Sequence, residues 1–215
     1  MNSMDNLSGA RGRKPKDDDR RLSSPAAQRN REPILAVLRS VLPTTGRVLE
    51  IASGSGEHAV YFSRHLAPLC WQPTDISEDA LASIAAWRDI EGQRNLAAPV
   101  RLDVTEPWPQ LPDLAAIVCI NMLHISPWHA SEALFAEAGR RLPEGGVLVA
   151  YGPFRRDGRH TAHSNAAFDD DLRARDPQWG VRDLEAIDAL ASTSGLRCES
   201  IHALPANNLC VVWRR

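Results

Sequence analysis

A glycine-rich segment with the pattern E-x-x-x-G-x-G is the first place where residue types and spacing in this sequence suggest chemistry. Glu50, Gly54 and Gly56 form the pattern, which begins within the apolar run 47–51. Glycines in a turn between a strand and a helix let the bare backbone approach a ligand that a side chain would keep away. Gly54, Gly56 and Ala59 also fit the dinucleotide pattern G-x-G-x-x-A, so a nicotinamide-dependent oxidoreductase is an alternative at this point.

Two aspartates associated with the next apolar runs suit a nucleoside. Asp75 closes the run 69–74, and a carboxylate there can accept hydrogen bonds from both hydroxyls of a ribose. Asp103 lies in the short run 100–104, and its carboxylate could accept a hydrogen bond from the exocyclic amine of a purine. The alternatives are that Asp75 interacts only with the N-terminus of the following helix and that Asp103 is a solvated turn residue.

Three residues at the ends of the central predicted strands are candidates for substrate binding or catalysis. Asn121 ends the apolar run 115–121 and could bind a ligand, while His124 lies just beyond it. His124 could act as a general base, because the ordinary pKa of histidine is about 6.5. Tyr151 ends the run 147–151 and could orient a substrate. Both side chains could instead serve only in packing.

Arginines suggest where an anionic substrate could bind. The polar stretch 152–165 is long for a loop and carries Arg155 and Arg156, and arginine forks match carboxylates and phosphates. A solvated loop is the alternative for this stretch. The segment ahead of the first strand could also fold over the site as a lid, with Arg29 and Asn30 facing inward.

Strand patterns alternate with helical patterns along the chain, which is typical of a parallel α/β sheet. Helices are predicted over 33–42, 57–67, 78–92, 127–142, 166–175 and 182–194, with Ser126 as the N-cap of the fourth. Strands are predicted over 47–51, 69–74, 100–104, 115–121, 147–151, 196–203 and 208–213. Only the last two strands are joined without a helix, so we expect an antiparallel hairpin at one edge. The prediction is a Rossmann-like α/β domain with a seven-stranded, mostly parallel sheet.

Composition bounds the class of protein. The chain has 215 residues, of which 43% are hydrophobic and 24% charged, with a formal net charge of −2, which indicates one globular domain. We expect a disordered tail over 1–23 and the domain over 24–215. Charge gives no support for nucleic-acid binding, and no apolar run is long enough to cross a membrane. Without a C-x-x-C pair, we expect a cytoplasmic protein with reduced cysteines and no metal site.

Taken together, these motifs resemble those of the class I S-adenosylmethionine-dependent methyltransferases. The pattern E-x-x-x-G-x-G, the acids Asp75 and Asp103, Asn121 and the segment LPEGG at 142–146 carry this resemblance. The sequence resembles more closely the family that includes methyltransferase-like protein 26. The segments SPAAQRNREPI (24–34), EIASGSGEHAVYF (50–62), NMLHISPW (121–128), YGPF (151–154) and PANNL (205–209) carry this second resemblance.

The resemblance implies that the chain binds S-adenosylmethionine and transfers its methyl group to an acceptor. It implies cofactor-binding roles for Glu50, Gly54, Ser55, Gly56, Asp75, Asp103, Val104 and Asn121. We expect a small-molecule acceptor, with an anion as one possibility, and Arg29, Asn30, Tyr151, Arg155 and Arg156 are the candidates to contact it. His124 and Tyr151 are the candidates for catalysis. A non-catalytic protein that binds the same cofactor and a macromolecular methyltransferase stay open as alternatives, and the oligomeric state is not predicted.

Overall fold

A twisted sheet of seven strands forms the centre of the computed structural model, which describes residues 20–91 and 93–215. Its strands are β1 Arg47–Ile51, β2 Cys70–Asp75, β3 Val100–Arg101, β4 Leu114–Ile120, β5 Val147–Gly152, β9 Arg197–Leu204 and β10 Asn208–Arg214. They lie in the order β3-β2-β1-β4-β5-β10-β9. Every neighbouring pair is parallel except the two that involve β10. The predicted seven-stranded, mostly parallel sheet with a final antiparallel hairpin is confirmed.

Helices cover both faces of this sheet. They are α1 Pro25–Val41, α2 Glu57–His65, α3 Glu78–Glu91, α4 Trp128–Arg141, α5 His163–Arg175 and α6 Leu184–Thr193. Because successive side chains of a strand point to opposite faces, the central strands serve two separate apolar cores. Leu49 and Ile117 pack in one core with Phe135 of α4, whereas Val48 and Val118 pack in the other.

The first helix begins eight residues earlier than predicted. The sequence predicts its start at Pro33, whereas α1 starts at Pro25 and contains Pro33 in its interior. Ser24 caps it, since its side chain accepts a hydrogen bond from the backbone N–H of Ala27 at 3.2 Å. An interior proline removes one helical hydrogen bond, but this cap and the buried apolar face of α1 outweigh that loss. Arg29 and Asn30 therefore lie on a helix.

The end of β3 and the cap of α4 also differ from the prediction, each for a reason that the structure shows. Strand β3 ends at Arg101 because Asp103 accepts the backbone N–H of Thr105 at 2.9 Å, and this turn ends the extended run. Ser126 does not cap α4, whose N-cap is Pro127. The Ser126 hydroxyl donates instead to the Met122 carbonyl at 2.8 Å.

The polar stretch 152–165 is not an irregular loop. It contains the short strands β6 Phe154–Arg156 and β7 Arg159–His160, and α5 begins within it. Together with β8 Arg182–Asp183, these strands form a second, three-stranded sheet in the order β7-β6-β8. Periodicity did not reveal strands this short, because two or three residues are too few to show an alternating pattern.

The described chain begins at Arg20, so most of the predicted tail over 1–23 lies outside the described residues. Residues after Arg20 lie against α3. The Leu22 backbone N–H donates to Ser83 Oγ at 2.7 Å, and Trp87 Nε1 donates to the Leu22 carbonyl at 3.0 Å. No helix in the described part of the chain is long and apolar enough to span a membrane. All four cysteines are free.

Gly139 lies where α4 meets the end of α6, with no room for a side chain. A Cβ atom there would lie 1.9 Å from the Ser194 carbonyl oxygen. In an open helix, glycine to alanine stabilises by about 1 kcal/mol. Here we expect Gly139→Ala to lower the free energy of unfolding by about 1–3 kcal/mol, because the helices must move apart. Urea denaturation measures this, with Ala136→Gly on the exposed side of α4 as the reference for helix propensity. An unchanged or higher stability of Gly139→Ala would contradict the prediction.

Candidate functional site

Two cavities open at the carboxyl ends of the parallel strands, and Ile125 lines both. The β1–β2 cavity has a volume of about 440 Å³. Its lining includes Gly54, Ile76, Asp75, Asp103, Val104 and Met122. The β5 cavity has a volume of about 520 Å³. Its lining includes Arg29, Asn30, Asn121, Tyr151, Phe168 and Asn208. Ligands of open α/β sheets bind at this edge, and adjoining cavities allow two ligands to meet.

Asp75 joins the glycine-rich turn to the next strand. Its Oδ2 accepts the backbone N–H of Gly54 at 2.9 Å, and its Oδ1 accepts the backbone N–H of Ser77 at 2.9 Å. An ionised carboxylate has about four lone-pair positions, so each oxygen can still accept a bond from a ligand. Gly54 has a positive φ of 57°, and a Cβ atom there would meet nothing within 4 Å. The turn thus presents open backbone and a carboxylate to the same cavity.

Gly56 is required by packing behind the turn. Its φ is +89°, and a Cβ atom would lie 2.9 Å from the Cα of Ile84 on α3. Ser55 has a similar supporting position, because its carbonyl accepts the Ser83 hydroxyl at 2.7 Å and its hydroxyl donates to Glu57 at 3.1 Å. Both residues belong to the turn, but neither lines the β1–β2 cavity.

Glu50 lies buried beneath the turn and lines neither cavity. Trp71 Nε1 donates to its Oε2 at 2.9 Å. Burial raises the pKa of the Glu50 carboxyl to about 7, although the hydrogen bonds from Trp71 and Ser53 lower it. Its backbone carbonyl accepts the hydroxyl of Thr74 at 2.7 Å. Glu50 therefore supports the turn from below and does not face a ligand in either cavity.

Asp103 faces the β1–β2 cavity from a turn beyond β3. The backbone N–H and the hydroxyl of Thr105 donate to its Oδ1 at 2.9 and 2.7 Å. These two bonds lower the pKa of Asp103, so the carboxylate is ionised at neutral pH. Its Oδ2 has no hydrogen-bond partner among the described residues. Val104, next in the chain, lines the same cavity.

Asn121 and His124 differ in their access to the site. Asn121 follows β4 with a φ of 64° and lines the β5 cavity. His124 is fully buried, with its ring edge-on to Phe154 at 5.0 Å between centroids. Burial lowers its pKa to about 3, and within the described chain neither ring nitrogen has a partner. A Cβ atom on Gly152 would clash with His124 Nε2, so the ring packs directly against the end of β5. His124 lines neither cavity.

Arg182 supports the segment between the cavities, and nothing in the sequence pattern indicated this. The segment is the 3-10 turn Met122–His124 and the residues that follow it. Arg182 donates to the carbonyls of Leu123 at 2.9 Å and Ser126 at 2.6 Å. The backbone N–H of Gly180 donates to the His124 carbonyl at 2.9 Å. This support fixes the shared wall of both cavities.

The predicted acceptor residues divide into two groups. Arg29, Asn30 and Tyr151 line the β5 cavity. Arg155 and Arg156 do not line it, and they form ion pairs with Asp183 of β8 at 2.7 Å and Glu185 of α6 at 3.3 Å. The cavity gains Asn165 and Phe168 of α5 and Asn208 of the final hairpin. Asn165 ends the polar stretch 152–165 that the sequence indicates as a possible acceptor site, and Asn208 lies in the segment PANNL. Sequence reasoning did not place Phe168 or Asn208 in a site, because Phe168 belongs to no motif and PANNL carries only the family resemblance.

A sequence profile for a family described as "Protein of unknown function (DUF938)" matches residues 21–215. The chain belongs to this family. Among solved structures, the DUF938 chain resembles human N-acetylserotonin methyltransferase in complex with SAM, with a TM-score of 0.71 and 14% identity over 88% of this chain and 52% of that one. It also resembles magnesium protoporphyrin IX methyltransferase from Synechocystis PCC 6803 with bound SAH, with a TM-score of 0.67 and 12% identity over 87% and 83%.

A third similar structure is an O-methyltransferase family 2 protein from Planctomyces limnophilus in complex with apigenin. Its TM-score is 0.70, with 18% identity over 86% of the DUF938 chain and 61% of that protein. The DUF938 chain therefore spans 61% of this structure and 52% of the human enzyme. Strand order and the final antiparallel pair establish the class I methyltransferase fold. In the portion of the chain that is described, no group of His, Cys, Asp or Glu residues could hold a metal ion.

Proposed function

We propose that the DUF938 chain is an S-adenosylmethionine-dependent methyltransferase that acts on a small molecule. One observation carries the proposal: a cavity with an open glycine turn and two carboxylates adjoins a second cavity, whose lining combines apolar residues with polar side chains. Structural neighbours with bound SAM or SAH share the fold. We also propose kinship with the family that includes methyltransferase-like protein 26, on the five sequence segments quoted above.

The residues of the β1–β2 cavity fit the cofactor. Asp75 has acceptor positions left on both oxygens for the two ribose hydroxyls, and Asp103 has an oxygen without a partner in the described chain for the adenine amine. Gly54 leaves room for the amino-acid end to approach the backbone. Asn121, at the end of β4, lines the adjoining β5 cavity, and we propose that it contacts this end of the cofactor from there. Glu50, Ser55 and Gly56 would support the turn without contacting the cofactor.

The cofactor, when bound, supplies a methyl group on a positively charged sulfonium, which is a good leaving group. The chain's main task is therefore orientation, which can lower a barrier by about 7–11 kcal/mol. Ile125, Asn121 and the segment that Arg182 supports would keep the two ligands in line. Tyr151 lines the β5 cavity and is our candidate to contact the acceptor. His124 lines neither cavity, so we do not assign it as a general base.

Binding to sulfur-containing cofactors tests the proposal. We expect S-adenosylmethionine and S-adenosylhomocysteine to bind the purified protein with micromolar dissociation constants in a calorimetric titration, and NADH not to bind. Both carboxylates of the β1–β2 cavity suit the ribose hydroxyls and the adenine amine of these ligands. NADH presents the same groups, but its negatively charged pyrophosphate would enter a cavity that holds two carboxylates and is lined by no described Lys or Arg. Binding of NADH without either sulfur ligand would favour the nicotinamide oxidoreductase and overturn the proposal.

Turnover separates an enzyme from a non-catalytic binding protein with the same fold. Release of S-adenosylhomocysteine in the presence of a panel of small hydroxyl, amine, thiol and acid compounds is the expected result. Cofactor binding without turnover on any small molecule, but with methylation of a protein or RNA extract, would favour a macromolecular substrate. We retain a cytoplasmic location as a prediction.

A further inference from the structure

We infer that the α1 corner of the β5 cavity, formed by Arg29, Asn30 and Tyr151, binds an oxyanion of the acceptor, either a carboxylate or a phosphate monoester. The inference rests on the proposed function, because it names the acceptor class for the same cavity. It replaces the predicted anion site at Arg155 and Arg156, whose guanidinium groups already pair with Asp183 and Glu185.

Charge is the first argument. Arg29 is the one charged side chain among the described residues that line the β5 cavity, and no Asp or Glu is among them. No carboxylate of the described chain forms an ion pair with it. A guanidinium has five N–H donors and no acceptor, and it matches the two oxygens of a carboxylate or phosphate. The cavity therefore has a net positive charge that no described carboxylate neutralises.

The orientation of the Asn30 amide is the second argument. His58 is buried on α2, and its Nε2 lies 2.7 Å from Asn30 Oδ1. A carboxamide oxygen can only accept, so Nε2 must carry the hydrogen. Burial lowers the pKa of His58 to about 4, so the ring is neutral and its single N–H is used in this bond. The Asn30 oxygen is thereby engaged, and its N–H₂ group is what remains for the cavity.

Tyr151 completes the corner. Burial raises the pKa of its hydroxyl, whereas hydrogen bonding with the Asn30 and Asn208 side chains and the charge of Arg29 lower it. Arg29 and Asn30 are consecutive residues of α1, and both line the same cavity as Tyr151. A guanidinium, an amide N–H₂ group and a phenolic hydroxyl in one corner form a donor-rich site, which favours an oxyanion over a cation or an apolar group.

The wall of the cavity opposite α1 offers a hydrogen-bond acceptor, in contrast to the donors of the α1 corner. Asn165 on α5 uses its N–H₂ group to donate to Thr161 Oγ1 at 3.1 Å and to the Asn207 carbonyl at 3.0 Å, which leaves its oxygen to accept. An acceptor with an oxyanion at the α1 end and a hydroxyl or amine toward α5 matches both walls.

Matched pairs of ligands test the inference. The full chain, saturated with S-adenosylhomocysteine, is titrated by calorimetry with small hydroxy acids, amino acids and phosphate monoesters, each beside its neutral amide or alcohol. We expect an acid to bind about tenfold more tightly than its neutral partner, because a hydrogen bond between charged groups is stronger than one to a neutral group. Arg29→Gln should remove this preference, whereas Arg39→Gln, an exposed arginine of the same helix outside the cavity, should retain it.

A second variant tests the orienting role of His58. His58→Phe keeps an aromatic ring against Phe62 but removes the donor to Asn30. We expect a loss of about threefold in affinity for the acid, no change for its neutral partner and no change for S-adenosylhomocysteine.

Several outcomes would overturn the inference. They are equal binding of acids and neutral partners, no binding of any probe, and an unchanged preference in Arg29→Gln. If Arg29→Gln weakens S-adenosylhomocysteine but not methylthioadenosine, which lacks the amino-acid end, then Arg29 binds the cofactor and the inference is wrong. Failure of the wild-type chain to bind S-adenosylhomocysteine would instead overturn the proposed function. Titration of the protein without S-adenosylhomocysteine with each acid and its neutral partner would then still test the anion site at the α1 corner.

Discussion

Asp75→Ala is expected to weaken the binding of S-adenosylhomocysteine by about 100-fold or more. The Asp75 carboxylate fixes the turn through Gly54 and has an acceptor position left on each oxygen for a ribose hydroxyl. Hydrogen bonds to a charged group contribute about 1.5–3 kcal/mol each, so the loss of two gives an effect of this size. Isothermal calorimetry on the wild type and the variant measures it.

The controls for Asp75→Ala must distinguish two roles of this carboxylate, direct contact with the ribose and support of the glycine-rich turn. Asp79→Ala removes an exposed carboxylate from the first turn of α3 and should leave affinity unchanged. Adenosine and dideoxyadenosine make the second comparison, because only adenosine has the hydroxyls. The wild type should prefer adenosine, and Asp75→Ala should bind both alike. A retained preference for adenosine in the variant would show that another residue binds the ribose.

Glu50→Gln is expected to make the protein more stable above neutral pH and to change how stability depends on pH. Burial raises the pKa of Glu50 from 4.5 to about 7 in the folded chain. Between these values the folded state binds a proton that the unfolded state does not, so the contribution of Glu50 to stability falls as pH rises. The full difference is about 3 kcal/mol, from about 1.4 kcal/mol for each pKa unit.

Urea denaturation at about pH 4.5 and about pH 8 measures the Glu50 effect. The stability of Glu50→Gln relative to wild type should rise by about 3 kcal/mol between the two conditions. Glu144 is an exposed glutamate in the turn before β5, and Glu144→Gln serves as the matched control. Its free energy of unfolding should change with pH by the same amount as that of the wild type. If the stability of Glu50→Gln also followed the pH dependence of the wild type, the pKa of Glu50 in the folded chain would not be raised, and the prediction would be wrong.

The order of the elements and the positions of Gly54 and Asp75 could be predicted from the sequence because they depend on local pattern. Apolar runs of five to seven residues, such as Arg47–Ile51 and Leu114–Ile120, specify buried parallel strands by themselves. Gly54 and Asp75 follow their strands directly, so parallel pairing brings them to one edge. The β1–β2 cavity was therefore predictable in outline, although Glu50 lies beneath the turn and not within the cavity.

The β5 cavity could be predicted only in part, because distant contacts determine it. Arg155 and Arg156 look available in the sequence, but Asp183 and Glu185, about 28 residues later, neutralise them. The sequence predicts a helix start at Pro33, whereas the cap at Ser24 and the buried face of α1 extend the helix to Pro25. Nothing local to Phe168 or Asn208 indicates that α5 and the final hairpin meet α1 at this point.

The two cavities draw on different parts of the chain, and this separation affects how the family can diversify. The residues that line the β1–β2 cavity all lie between Ile51 and Ala130, whereas most of the β5 cavity comes from α1, α5 and the turn before β10. Substitutions in those three segments would alter what enters the β5 cavity while leaving the other cavity intact. Under the proposed function, this separation would let the acceptor change through α1, α5 and the turn before β10 without a change in the proposed nucleoside site.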